Sequence, residues 1–399
     1  MNAILAVWNR FFFAEQSPLP LAWFRIAYGL LVMITLLLLK PDWIPWYGTH
    51  AWMSLGTMRE LEPGLRLNLF TILPQDDRCV IALFWIFLAS AFLLTIGFLS
   101  RLNSIVVYFC LASIQQRNLY ILHGGDTFLR VAGFFLIFAP AGAALSVDRL
   151  IRVWRGREQS EVPLRRLWAQ GMIQIELSLV YLATFCWKLK GAPWIEGSAL
   201  FYVFHLFELQ RFPLPDWLLQ PGILKLGTWS AMVLEFSLGT LIWVKRMRYK
   251  ILAAGLLFHL SLEYSLNIPM FQWDMLSAYL LFVDPADLQR SWNWICVRVG
   301  PWLGKPVSVS YDSRSARTRR LVNLLVVLDI FHRLAFKPSG ETGNRTSTAS
   351  ETNNRELILA TSIGPCLGTD VRLILAKSIP LLWPLVPFCY FRTVAQSRK

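Results

Sequence analysis

Blocks of apolar residues recur along the first 285 positions, each close to the length of a bilayer crossing. A spanning helix needs about 20 such residues. Leu19 to Leu39 supplies them, opened by Pro18 and Pro20 and closed by Lys40-Pro41, where proline stops a helix from continuing. This block starts too late, and lacks the small-residue cleavage site, for a signal peptide. Further blocks run from Cys79 to Leu99, more weakly from Leu102 to Ile114, then from Thr127 to Val147, Leu167 to Leu189, Leu226 to Val244, Ile251 to Leu266 and Phe271 to Val283. The pattern predicts an all-α polytopic membrane protein of about eight transmembrane helices. The last two blocks are short and polar in places, so they are expected to be tilted or packed inside the bundle.

Composition agrees: of 399 residues 55% are hydrophobic and 16% charged, with mean hydropathy +0.46. Soluble domains carry about a quarter charged residues, so the apolar excess must face lipid. The net charge of +14 changes the picture only at the end of the chain, where Pro285 to Lys399 holds 16 Lys/Arg against 7 Asp/Glu and thus +9 of the total. Basic loop residues then set an orientation. Arg149, Arg152, Arg155, Arg157, Arg165 and Arg166 lie between the fourth and fifth blocks, and Lys245, Arg246, Arg248 and Lys250 between the sixth and seventh. Eight spans put both loops, and both termini, on the cytoplasmic side. Trp43, Trp46, Tyr47 and Trp52 in the first opposite loop are of the type that settles at a bilayer interface. The six cysteines show neither CxxC nor metal spacing, so no disulfide framework or metal site is expected.

Charges inside a bilayer cost roughly 2.5 to 3.5 kcal/mol each at its centre on translocon scales, so Arg25, Arg130, Glu176, Lys188, Glu235, His259, Glu263 and Asp274 each need a reason. Any one of them can serve snorkelling or pairing between helices. Together they mark a candidate site. Tyr181 and Lys188 are seven apart and share a helix face, and His259 and Glu263 are four apart, so a carboxylate can orient the imidazole. Lys188, Asn267, Asp274 and the His123-Gly124-Gly125-Asp126 turn all belong to the non-cytoplasmic side. Burial makes a lysine amine a usable general base near neutral pH; the plainer alternative is that Lys188 and Lys190 mark the interface.

Several segments in order resemble the horizontally transferred transmembrane (HTTM) domain family, whose best-known relative is the vitamin K-dependent gamma-glutamyl carboxylase. They are Leu21-Ala-Trp-Phe-Arg25-Ile-Ala-Tyr-Gly29, Gln116-Arg117-Asn118, Gly124-Gly125-Asp126-Thr-Phe-Leu-Arg130, Tyr181 through Lys188-Leu189, Trp194-Ile195-Glu196-Gly197, Glu235, Phe258-His259, and Phe271 to Pro285. The resemblance covers roughly residues 18–285. It implies a reduced, vitamin K-like quinone as cofactor, Lys188 as the base that deprotonates it, and His259 as the second catalytic residue. Arg25, Arg117, His123, Asp126, Tyr181, Trp194, Glu235 and Glu263 are the residues expected to hold substrate or quinone. The implied chemistry is carboxylase- or oxygenase-like, of lyase type, on a peptide or protein substrate. Two departures separate this chain from the carboxylase. Asp126 stands where the carboxylase has a further functional histidine, and nothing after Pro285 matches its sizeable lumenal domain. A non-catalytic membrane protein, one that binds lipid or quinone or assists peptide maturation or export, is the alternative. A transporter lacks a visible internal repeat, and an electron-transfer metal protein fails on ligand spacing.

The rest divides into an interfacial linker over 286–304 and a basic region over 305–399, behind a cytoplasmic segment over 1–17. Arg290 to Trp302 reads as an amphipathic interfacial stretch, Pro306 to Asp312 as a strand, Arg317 to Asp329 as a helix and Leu334 to Lys337 as a second strand. This small α/β region resembles the thioredoxin-like DCC family, whose opening motif carries a CxxC; here Tyr311-Asp312-Ser313-Arg314-Ser315-Ala316-Arg317-Thr318 has Ser315 and Thr318 in the cysteine positions. Neither can attack or resolve a disulfide, so no thiol-disulfide exchange is expected. Pro338 to Asn354 reads as a flexible loop whose Asn344-Arg-Thr346 sequon has no meaning on a cytoplasmic tail. Leu373 to Tyr390 is broken by Pro380, Pro384 and Pro387 and is expected to dock on the domain or the membrane surface. The expected partners are the bilayer, with anionic headgroups against the basic region, and no nucleic acid, for want of a binding motif. The expected location is a bacterial inner membrane, crossed many times.

Overall fold

The computed structural model describes residues 2–62, 68–303, 306–311, 313–338, 357–361, 364–366 and 369–385. Its helices are α1 (Asn2–Phe13), α2 (Leu19–Leu39), α3 (Asp77–Ile96), α4 (Ser100–Arg117), α5 (Gly124–Phe138), α6 (Val147–Trp154), α7 (Trp168–Lys188), α8 (Pro221–Thr240), α9 (Lys245–Ser265), α10 (Phe271–Tyr279), α11 (Pro285–Val299), α12 (Ala316–Leu328) and α13 (Thr369–Ser378), besides shorter turns. The strands are β1 (Glu15–Gln16), β2 (Arg165–Arg166), β3 (Val307–Tyr311), β4 (Leu334–Pro338), β5 (Leu357–Thr361) and β6 (Gly364–Cys366). Two compact units form, one of Met1–Ser146 with Pro163–Asp284, the other of Val147–Val162 with Pro285–Lys399.

In the first unit the helix ends follow local chemistry. Proline in the first turn opens α2 and α8, where its missing N–H has no intrahelical partner to lose. The Asp76 side chain accepts from the Arg78 N–H to start α3, and Gly97 ends it at φ 70. α2 packs on α3, α3 on α4, α4 on α5, α5 on α7, and α7 on α8; α9 and α10 close the bundle. Leu21, Phe24 and Tyr28 of α2, with Phe87, Ala91 and Leu94 of α3, are completely buried. Among the described residues three helical stretches are long and apolar enough to cross a membrane: Leu19–Tyr47, Asp77–Ile96 and Trp168–Lys188. The other five apolar blocks are helical too, within different limits. The block expected from Thr127 to Val147 stops as a helix at Phe138, because Ala139, Pro140 and the following residues turn to wrap the Arg25 guanidinium.

In the second unit β3, α12 and β4 follow one another as strand, helix, strand. The sheet order is β4-β3-β5-β6, with β3 and β4 parallel and the β3-β5 and β5-β6 pairs antiparallel. Ser315 caps α12 by accepting from the Thr318 N–H, and Val309, Leu325, Leu375 and Ile379 form its core. The segment 147–162, expected to be a loop of the bundle, belongs here: α6 packs on α12, and Gly156 lies against Arg320. Asp312, the Asn344-Arg-Thr346 sequon with the rest of 339–356, and the terminal residues with Pro387, Cys389 and Tyr390 lie outside the described residues.

Candidate functional site

Three helices of the first unit converge on a buried polar network. α7 contributes Tyr181, α9 His259, and α10 both Gln272 and Tyr279. His259 is 1% exposed and both its ring nitrogens are engaged, Nε2 at 2.7 Å from the Tyr181 hydroxyl and Nδ1 at 2.6 Å from Gln272 Oε1. The Tyr181 hydroxyl also lies 2.9 Å from that of Tyr279. An amide oxygen only accepts, so Nδ1 carries the ring proton and donates it to Gln272. With the ring neutral, Nε2 is the acceptor, Tyr181 donates to it, and Tyr279 donates to Tyr181. The result is a directed chain of hydroxyls ending on a neutral imidazole. Tyr279 reaches this position because Gly255 has no side chain: a Cβ there would sit 2.4 Å from the Tyr279 hydroxyl. Gly255→Ala is therefore expected to push Tyr279 off Tyr181, and a shift of the tyrosine ultraviolet absorption in the purified protein checks it.

The second feature lies in the last turn of α7. The Lys188 ammonium pairs with the Glu235 carboxylate of α8 and stacks on the Trp194 ring, 4.5 Å from its centroid. The helix C-terminus favours a cation at this position. Gly191 starts the short helix Ala192–Glu196, which places Trp194 under the amine. Glu235 is the better buried partner, with its side chain 7% exposed against 20% for Lys188. Lys188 and the Tyr181 network thus occupy one helix, seven residues apart.

Other expected site residues are used differently. Arg25 is spent on backbone: Nη1 donates to the carbonyls of Ala141 at 2.7 Å and Ala144 at 3.2 Å, and Nη2 to Leu145 at 2.5 Å and Thr95 at 3.3 Å. It clasps the turn after α5. Glu263 does not orient His259, since its carboxylate pairs with Arg211 and both imidazole nitrogens are taken by Tyr181 and Gln272. His123 and Asp126 form a capping box at the start of α5. His123 Nδ1 accepts from the Gly125 N–H at 3.1 Å, Asp126 Oδ2 accepts from the His123 N–H at 3.0 Å, and His123 Nε2 donates to the Pro269 carbonyl at 3.1 Å. Arg117 is 2% exposed, with Nε and Nη1 buried without a partner, near the Tyr47 hydroxyl. Asp274 is 1% exposed and lies against Gly125.

Gln272, Tyr279 and Arg211 did not stand out in the sequence. A glutamine near the start of an apolar block was a signal for the first. Tyr279 and Arg211 carried none, because an interfacial tyrosine and a loop arginine are ordinary.

The HTTM domain family model matches residues 13–286 of this chain. Sporulation-delaying protein SdpB of Bacillus subtilis (strain 168) is 25% identical over 212 residues, which is 51% of this chain and 64% of that protein. The match therefore spans less than two thirds of this curated relative. No solved structure matches the chain. The family model takes in nearly the whole first unit, from the end of α1 to the start of α11, including every residue of the His259 and Lys188 clusters, and the chain belongs to the HTTM domain family.

Proposed function

We propose that this HTTM-domain protein crosses the membrane eight times, with both termini cytoplasmic, and handles the proton of a lipid-soluble hydroxyl of quinol type at Lys188. The observation that carries the reading is the pairing of the Lys188 amine with the buried Glu235 carboxylate over the Trp194 ring, on the same helix as the Tyr181-His259 chain. Apolar stripes support spans beyond the three longest: Leu226, Trp229, Val233 and Phe236 of α8 point outward, as do Leu257, Leu260 and Tyr264 of α9. The arginine- and lysine-rich loops support the orientation.

A quinol ring fits the groups present. The Trp194 face offers a stacking platform, and Gln272 Nε2 is a buried donor without a partner. When bound, a reduced quinone supplies a weakly acidic hydroxyl and the electrons for reaction with oxygen. Lys188 and Glu235 share one proton between amine and carboxylate; with that proton on Glu235, the amine accepts a hydroxyl proton as an N–H bond forms and the O–H bond breaks. The Tyr279-Tyr181-His259 chain holds its own protons in fixed directions and ties α7, α9 and α10 together two helical turns along α7 from the amine. Carboxylation of a peptide rests on the resemblance to the vitamin K-dependent carboxylases.

A non-catalytic reading has one observation in its favour: Lys188 and Glu235 satisfy each other as a packing pair does. SdpB carries a name that speaks of sporulation delay, and a role in peptide maturation or export is compatible with it. For the second unit, the sheet order β4-β3-β5-β6 supports a thioredoxin-like fold without redox chemistry, Ser315 and Thr318 standing where thiols would be. Mass spectrometry of lipids extracted from purified full-length protein tests the main reading. A reduced quinone is expected with the wild type and depleted with His259→Ala and Lys188→Ala; equal quinone content in all three overturns it.

A further inference from the structure

The second unit contains an open groove of about 730 Å³, and its construction points to a ligand unrelated to the chemistry of the first unit. One wall is α11 and the other the turn at Phe331, His332 and Arg333. The inner side of α11 grips that turn: Trp292 Nε1 donates to the Ile330 carbonyl at 2.8 Å, and the Trp292 and Phe331 rings lie 5.6 Å apart. Asp329 pins the turn from the other end, its carboxylate accepting from the N–H groups of Arg333 at 2.8 Å and Leu334 at 2.6 Å. His332 is held at φ 53, a backbone conformation with a steric cost for any residue carrying a Cβ. A rigid turn thus presents His332 and Arg333 to a groove whose other lining is mostly apolar, from Val297, Pro301 and Phe331.

The outer side of α11 continues the same surface. Trp294 is 57% exposed, Val297 75% and Trp302, just past the helix end, 89%. Arg298 lies over the Trp294 ring at 4.1 Å, and Arg290, paired with Asp287, stands one turn earlier. Residues 290, 294, 297 and 298 fall on one helix face. Tryptophan and valine flanked by arginine describe a helix lying in a headgroup layer. Two further points select the occupant. α11 begins at Pro285, three residues after the apolar stretch that ends at Phe282, and on the proposed eight-span reading, in which α10 crosses the bilayer, it therefore starts at a membrane surface. The charge from Pro285 onward is +9, which complements anionic lipid.

We propose that the α11 face and the adjoining groove are a seat for an anionic phospholipid of the bilayer, its phosphate against Arg333, His332 and Arg298 and its apolar part along Val297, Pro301 and Phe331. The test is native mass spectrometry of the full-length protein in detergent, titrated with phosphatidylglycerol and with phosphatidylcholine of the same acyl chains. The wild type is expected to retain phosphatidylglycerol preferentially. Arg290→Gln with Arg298→Gln is expected to weaken that preference about fivefold per charge removed, and Val297→Asp to abolish it. Lipid bound to the first unit is common to all variants and cancels in the comparison. Arg333→Gln, which removes one charge, is expected to weaken the preference about fivefold; should that buried position fail to fold, the exposed double variant decides. Equal retention of both lipids by the wild type, an unchanged preference in the double variant, or release of the lipid by excess inorganic phosphate, which would mark a site for free anions, overturns the proposal.

Discussion

Arg25→Met is expected to lower the stability of the first unit by about 3–5 kcal/mol, a loss at the upper end for a single substitution. The guanidinium is 0% exposed and its two terminal nitrogens serve four carbonyls, those of Thr95, Ala141, Ala144 and Leu145. Methionine fills much of the volume and supplies no donor, so the carbonyls of the turn after α5 remain buried without partners. Arg25→Lys restores the charge and less than half of the loss, because a compact ammonium cannot reach acceptors spread on two sides of a planar fork. Gly97 belongs to the same clasp. A Cβ there would lie 2.7 Å from Arg25 Nη1 and 2.4 Å from Ser146 Cβ, at a φ of 70 that only glycine takes without strain. Thermal unfolding of the purified protein in detergent measures both effects, and an Arg25→Met protein that melts with the wild type would show that the clasp is dispensable.

On the proposed quinol reading Lys188→Ala is expected to abolish turnover, and it is expected to cost about 3–5 kcal/mol of stability, because it leaves Glu235 as an uncompensated buried charge. The two effects have different physical origins and separate in a double variant. Lys188→Met with Glu235→Leu removes both charges and keeps the volume, a change that is often neutral or stabilising for a buried pair. It is expected to melt close to the wild type and still lack turnover. A double variant that regains both stability and biological function would assign the pair to packing alone. Measuring unfolding and function side by side in the single and double variants therefore decides whether the amine acts on a substrate.

Much of the candidate site was legible as a list of residues, and little of it as a set of partners. Arg25, Lys188, Glu235 and His259 stand out in the sequence because an ionisable group in an apolar block is expensive wherever the helix goes. Spacing also placed Tyr181 and Lys188 on one face, since helical periodicity is local. The same local rule suggested His259 with Glu263, and there it lost to contacts between helices: Arg211, 52 positions from Glu263, takes the carboxylate. Gln272, 13 positions from His259, takes the imidazole. The fourth apolar block was read too long because hydropathy counts Ala141, Ala143 and Ala144 as span, whereas the turn they form exists to bring carbonyls to Arg25.

The sequence by itself determined that this is a helical membrane-type protein with a basic C-terminal region, because hydropathy and charge are properties of residues taken one at a time or within one helix. Only the tertiary structure decided which buried charge meets which. Lys188 finds Glu235 across 47 positions, Tyr181 finds His259 across 78, and Arg25 finds a turn almost 120 residues away. No local pattern encodes those meetings. They follow from how α7, α8, α9 and α10 pack, and inside an apolar bundle each polar group is held to whatever partner that packing brings within hydrogen-bond reach.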